Sequence, residues 1–237
     1  MHKPILLTNV SLSFFNKSCF ENFSTQIYQG SRIAIIGRNG SGKSSLLNIL
    51  RGHLQPSDGQ VIIPDHLSIG YVEQIISSYN DLSGGQRLNK RLSEALALSP
   101  DFLLLDEPTN NLDLANRKSL MHMLQNYQGT LIIISHDIEL LRQYTNIFWH
   151  IDNNKIHIFS GSYDNYIREI KQKRSKIEKE LFLIKHEKKE THIKLMKEQK
   201  RASKSKIKGQ KSIDQRKWPT IVSNAKANRA SQTNGKK

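Results

Sequence analysis

Arg32-Ile33-Ala34-Ile35-Ile36-Gly37-Arg38-Asn39-Gly40-Ser41-Gly42-Lys43-Ser44-Ser45-Leu46-Leu47 decides how the rest of the chain is read. Residues 32–36 make a short buried strand. Gly37–Ser44 fits the pattern G-x-x-x-x-G-K-[ST]. From Ser44 to Arg51 the residues Leu46, Leu47, Ile49 and Leu50 supply the apolar faces of a helix. Strand, Gly-rich loop and helix in that order are the setting a phosphate-binding loop requires, which argues against a chance Gly-rich turn. The glycines let backbone N–H groups turn inward around phosphate oxygens, and the helix adds its positive end. In such a loop Lys43 reaches the β- and γ-phosphates and the Ser44 hydroxyl ligates Mg²⁺. The expected nucleotide-binding set is therefore Gly37, Arg38, Asn39, Gly40, Ser41, Gly42, Lys43, Ser44 and Ser45.

Two more motifs follow in fixed order. Leu82-Ser83-Gly84-Gly85-Gln86 is an anion-binding turn just before an amphipathic helix, 86–98, with Leu88, Leu92, Ala95 and Leu96 near helical spacing. Leu103-Leu104-Leu105-Asp106-Glu107-Pro108 is an apolar strand that ends on two acids. Asp106 is placed to bind Mg²⁺. Glu107 is placed to polarise an attacking water as general base. A bare strand-end charge pair is the alternative, and the upstream loop and Pro108 speak against it. His136 follows the 131–134 strand and is placed to contact a γ-phosphate and that water. Gln74, in Tyr71-Val72-Glu73-Gln74, is a candidate ligand for Mg²⁺ and water. Phe14 has two readings, stacking on adenine or packing in the core. Asp113 is expected at a face between two such domains, because a Ser-Gly-Gly turn of this kind acts on nucleotide held by a different copy.

Around these motifs, residues 5–14, 24–28 and 69–72 read as strands, 114–127 as a helix, and a β segment within 147–159 closes the domain. The apolar runs 102–105 and 131–134 suit central parallel strands, so the fold class is α/β. Residues 164–201 have few breakers, and Ile170, Ile177, Leu181, Ile184 and Leu195 lie near heptad spacing. They predict one long helix with a narrow seam, a solvated Lys-rich tail being the other reading. Trp218-Pro219 predicts a turn before a returning helix at 220–230. The expected division is 1–162 and 163–237.

Charge separates the same two parts. Residues 1–160 carry 13 Lys+Arg against 13 Asp+Glu, whereas 161–237 carry 23 against 8, so the whole net charge of +15 sits in the tail. An acidic polymer is the implied partner, nucleic acid ahead of membrane. Trp218 could stack on a base or pack on a neighbouring helix. Cys19 is the lone cysteine, which excludes an internal disulfide and points to a reducing compartment, the cytoplasm. No signal-peptide pattern opens the chain, and no apolar run approaches the ~18 residues of a membrane span.

Together these residues resemble the ATP-binding cassette superfamily over about residues 4–160, and more closely the ABC-F family of translation-associated ATPases. The phosphate loop, the Asp106-Glu107-Pro108-Thr109-Asn110-Asn111-Leu112-Asp113 stretch, Gly161-Ser162-Tyr163-Asp164-Asn165-Tyr166 and the basic tail carry the likeness. The family usually has His where this chain has Asn111. The resemblance implies a P-loop NTPase cassette with a reduced helical subdomain, followed by a basic helical arm. It implies ATP and Mg²⁺ as ligands, hydrolysis by Glu107 with His136, and ribosomal RNA and tRNA as partners of residues 163–237. It also implies no membrane domain, and for some members displacement of ribosome-targeting antibiotics. Only eight residues, 75–82, separate Gln74 from Ser83, too few for the subdomain that docks cassettes on membrane partners. That departure disfavours a transporter subunit, the alternative function. The family carries two cassettes, so a second is expected in trans, from another copy or a missing half. A remnant that only binds ATP is the remaining reading.

Overall fold

The computed structural model describes residues 3–15, 17–74, 83–97, 99–110 and 112–233, with side chains to Ile207. Two sheets form the first of two compact units, Met1–Lys171. Strands β1 (Ile5–Phe14) and β2 (Lys17–Ile27) make an antiparallel hairpin, and β4 (Asp58–Ile62) pairs with the other side of β1. The larger sheet has six strands in the order β5-β6-β7-β3-β8-β9. Its members are β3 (Arg32–Gly37), β5 (Ile69–Val72), β6 (Phe102–Asp106), β7 (Thr130–Ile134), β8 (Ile147–Asp152) and β9 (Lys155–Ser160). All neighbours are parallel except β8 and β9. Helices α1 (Lys43–Leu50), α2 (Gly84–Leu96), α3 (Leu114–Asn126) and α4 (Ile138–Tyr144) connect the strands.

The continuous apolar runs follow from burial on both faces, because successive side chains of a strand point to opposite sides. Phe102 and Leu104 of β6, Ile132 and Ile134 of β7 and Trp149 of β8 face one core with α1 and the small sheet. Phe23 meets Trp149 there edge-on at 5.0 Å. Leu103, Leu105, Leu131, Ile133 and Phe148 face a second core, lined by Leu88 and Leu92 of α2, Leu120 and Leu124 of α3, and Leu140 and Leu141 of α4.

Helix α5 (Tyr163–Thr233) begins in that second core. Tyr166 stacks on Phe148 at 5.0 Å, and Ile167 and Ile170 pack beside it. The first unit therefore runs nine residues beyond the division expected at 162, to Lys171. In the second unit, Gln172–Lys237, the seam residues Ile177, Leu181, Ile184 and Leu195 are exposed. The turn expected at Trp218-Pro219, with a returning helix after it, is not found, since α5 continues to Thr233. Proline removes one bond of the helical ladder. Lys211, Gln215, Arg216 and Lys217 before it, and Ala225, Lys226 and Ala227 beyond the weaker run 220–224, are good helix formers, and the helix continues through.

The parallel strands place Gly37, Val72, Asp106 and Ile134 at one edge of the sheet, their carboxyl ends. In open α/β sheets this is the edge at which ligands bind.

Candidate nucleotide site

The loop leaves β3 at Gly37 and enters α1 at Lys43. Gly40 and Gly42 have φ of 71° and 95°, left-handed values that a side chain would strain. Gly42 caps α1, and its carbonyl accepts from Leu46 N at 2.9 Å. Lys43 is buried, with Nζ donating to the carbonyls of Gly37 at 3.0 Å and Arg38 at 3.1 Å. Burial lowers its pKa, opposed by the charges of Glu107 and Asp106. Arg38, Asn39 and Gly40 are exposed at the rim, while Ser41, Ser44 and Ser45 are half-buried.

Asp106 ends β6 at 2 % exposure. Burial raises its pKa, and a hydrogen bond from Ser44 and the charge of Lys43 oppose the rise. Its Oδ1 has no protein partner. A hydroxyl beside a buried carboxylate with an unused oxygen fits a Mg²⁺ ion that takes its remaining ligands from phosphate and water. Among the described residues no group of three His, Cys, Asp or Glu side chains forms a complete protein cage. Gln74 lies two residues past β5, whose Val72 pairs with Leu105 beside Asp106, and its side chain is exposed.

Glu107 adopts φ of 50°, an uncommon conformation for a residue with a side chain. Its N–H donates to Ile134 O at 2.9 Å, which ties it to the end of β7. The carboxylate is buried, with Oε1 3.2 Å from His136 Nε2 and Oε2 without a partner. His136 is 62 % exposed, so it bridges this buried acid and the solvent edge. Lys43, Ser44, Asp106, Glu107 and His136 are thus brought to one place from β3, β6 and β7.

Ser83 and Gln86 have a structural role that the motif conceals. Ser83 caps α2, its Oγ accepting from Gln86 N at 3.3 Å while its N–H donates to Gln86 Oε1 at 3.0 Å. This reciprocal capping box leaves Ser83 and Gly84 exposed. Gly85 is buried against Asn116, where a Cβ would strike the side-chain amide. Asp113 caps α3, accepting from Asn116 N at 2.8 Å and Nδ2 at 2.9 Å, and is otherwise exposed. Leu82 and Asn111 fall outside the described residues, as does the short 75–82 segment. Phe14 is 45 % exposed at the β1–β2 turn, which removes the core reading.

Sequence reasoning passes over two residues. Arg117 of α3 donates to Asp137 Oδ1 at 2.7 Å and Glu139 Oε2 at 3.0 Å, linking α3 to the cap of α4 beside His136. Lys17 Nζ donates to Gly40 O at 3.0 Å. Neither belongs to a motif, and their partners are distant in sequence.

A sheet whose carboxyl edge carries this loop and this acid pair defines a class of protein, the ATP-binding cassette of the P-loop NTPases. Residues 20–75 match the family model described as ABC transporter. The ribosome protection protein VmlR of Bacillus subtilis is 33 % identical over 197 residues, covering 73 % of this chain and 36 % of its own. The probable ATP-binding protein YheS of Escherichia coli is 28 % identical, covering 69 % of this chain and 32 % of its own. The erythromycin resistance ATP-binding protein MsrA of Staphylococcus epidermidis is 33 % identical, covering 61 % and 34 %. The chain belongs with these relatives to the ABC-F family, and it spans about a third of their length. Among solved structures, a dimeric post-hydrolysis ATP-binding cassette bound to ADP and Pi superposes with a TM-score of 0.57 at 21 % identity, covering 66 % of this chain and 98 % of that one. A metal-chelate type ABC transporter gives 0.59 at 23 %, covering 67 % and 84 %. Among the described residues no helix is long and apolar enough to cross a membrane.

Proposed function

We propose that this chain binds and hydrolyses ATP as one cassette of a pair, and that it acts on the ribosome through its basic arm. The observation that carries hydrolysis is Glu107, a buried carboxylate in a strained backbone conformation with one oxygen unused and the other beside His136. In this reading Glu107 takes the proton of the attacking water. His136 steadies that carboxylate and faces the γ-phosphate. Lys43 releases the Gly37 and Arg38 carbonyls for the β- and γ-phosphates, and the loop amides from Gly37 to Ser45 hold the phosphate oxygens. Asp106, Ser44 and Gln74 would hold Mg²⁺, which when bound neutralises charge on the phosphates. Phe14 stacks on adenine.

In this reading Ser83 and Gly84, exposed at the start of α2, serve a second cassette rather than the loop of the same chain. They face ATP on a second cassette, with Asp113 at the shared face. That cassette comes from another copy or from a longer polypeptide. The arm supports the ribosomal reading by its charge, 23 Lys+Arg against 8 Asp+Glu in residues 161–237, and the names of VmlR and MsrA support it by kinship. The corresponding location is the cytoplasm.

Ribosome co-sedimentation of Glu107→Gln tests the proposal. ATP-dependent, salt-sensitive pelleting is the expected result. ATP binding without pelleting under any salt condition would overturn the ribosomal part and leave the cassette.

A further inference from the structure

The nucleotide site has one cation at the phosphate end that its motifs explain and one nearby that they do not. Lys17 opens β2 and pairs directly across the hairpin with Phe14. Alternation along β2 puts Lys17 and Cys19 on one face. That face is turned to the phosphate loop, because a Cβ on Gly42 would meet Cys19 at 3.0 Å and one on Gly40 would meet Lys17 Nζ at 3.5 Å. The ammonium rests on Gly40 O at 3.0 Å and is otherwise exposed. A cavity of about 270 Å³ opens beside it, lined by Lys17, Arg38, Ser41 and Asp152 among others. The Ser41 hydroxyl is buried without a protein partner.

A nucleotide with its base on Phe14 and its terminal phosphates at Lys43 must pass its ribose and α-phosphate between the two. Lys17 stands at that point, opposite Phe14 and against the loop. A neutral carbonyl is a poor final partner for an exposed ammonium, and charge-assisted bonds to phosphate oxygens are stronger. We propose, on the ATP-binding reading given above, that Lys17 is a second nucleotide-binding lysine. It exchanges the Gly40 carbonyl for the α-phosphate and so fixes the base-proximal end of the nucleotide. Lys43 serves the β- and γ-phosphates, and the two ammoniums bracket the loop from different sides. Merely bracing the loop is the competing role for Lys17, and it makes a different prediction.

The test is equilibrium binding of adenosine, AMP, ADP and ATP to the full chain by calorimetry, with ligand-detected NMR for the weaker ligands. Wild type is compared with Lys17→Gln and Lys17→Arg. An α-phosphate contact weakens AMP, ADP and ATP by the same factor in Lys17→Gln, about ten- to a hundredfold for one hydrogen bond between charged groups. It leaves adenosine unchanged, and Lys17→Arg recovers most of the loss. Weakening of ADP and ATP with AMP unaffected would mean a loop brace and overturn the proposal. Wild-type affinity for all four ligands in Lys17→Gln would overturn it as well, with the cassette reading intact. A wild-type chain that binds no ATP would bring down both.

Discussion

Residue chemistry at the sheet edge is set by two adjacent acids in unlike surroundings. Glu107 keeps a buried oxygen free beside His136. Removing its charge with Glu107→Gln should lower ATP turnover by about 10²- to 10⁴-fold, the usual contribution of a general base. ATP binding, measured separately, should survive. Asp106 is different, because burial raises its pKa above the ordinary 3.8. An acid whose folded pKa is raised binds its proton more tightly in the folded state. Its effect on stability is therefore most favourable at acid pH, and it costs stability as pH climbs from the unfolded value through the folded one. At neutral pH Asp106→Asn should unfold in urea no more easily than wild type, yet lose the extra stability that ATP with Mg²⁺ confers on wild type. A variant that unfolds far more easily without ligand would mean that the Ser44 bond and Lys43 outweigh burial. The place of both acids was legible in the sequence, because an apolar run that stops at Asp106-Glu107 marks the end of a buried strand. The positive φ of Glu107 was not, since it depends on the bond from its N–H to Ile134 O, across the β6–β7 pair.

Elements show where local pattern suffices and where it fails. The runs in β6 and β7 announce buried parallel strands, because both faces need apolar side chains. β4 reads Asp58-Gly59-Gln60-Val61-Ile62, an edge strand with little alternation to find, and α4 is only seven residues long. The start of α5 is the clearest case of tertiary override. Tyr163 and Tyr166 look like a motif, and their structural work is to join α5 to the core through Phe148. Burial, followed by the neighbouring Tyr163, pushes the Tyr166 phenol up to about 12 from 10.0. A phenol raised in the folded state supports folding fully below the unfolded value, and that support is lost as pH rises from about 10 to about 12. Tyr166→Phe should remove this component of alkaline destabilisation, read as a shallower fall in melting temperature across that window. At the start of α2, Ser83→Ala breaks the capping box and should cost about 1 kcal/mol in an unfolding titration. Its effect on ATP turnover should exceed anything that loss of stability explains, if Ser83 also meets the partner's nucleotide.

At the scale of the whole molecule, charge is segregated rather than balanced. Residues 1–160 are neutral and residues 161–237 carry +15. The first part has an enclosed core, and beyond Ile170 the second is a helix whose described side chains, to Ile207, are exposed. A cationic helix with no core of its own to protect gains most from a phosphate-rich surface, where each contact releases condensed counterions. The affinity of the full chain for ribosomes or structured RNA should therefore fall linearly on a log–log plot against salt. Lys185, Lys188 and Lys189 are exposed and closely spaced, so together they test whether the mid-arm lies on phosphates. Changing all three to Gln removes up to three phosphate contacts. If the arm binds there, the slope should become shallower by roughly 2, at about 0.7–0.9 per contact. Binding should weaken similarly for unrelated sequences, because phosphate contacts position a protein without reading bases. An unchanged slope would place the contacts elsewhere on the arm. ATP affinity serves as the internal control, since the cassette has its own core and its phosphate loop draws on none of these lysines.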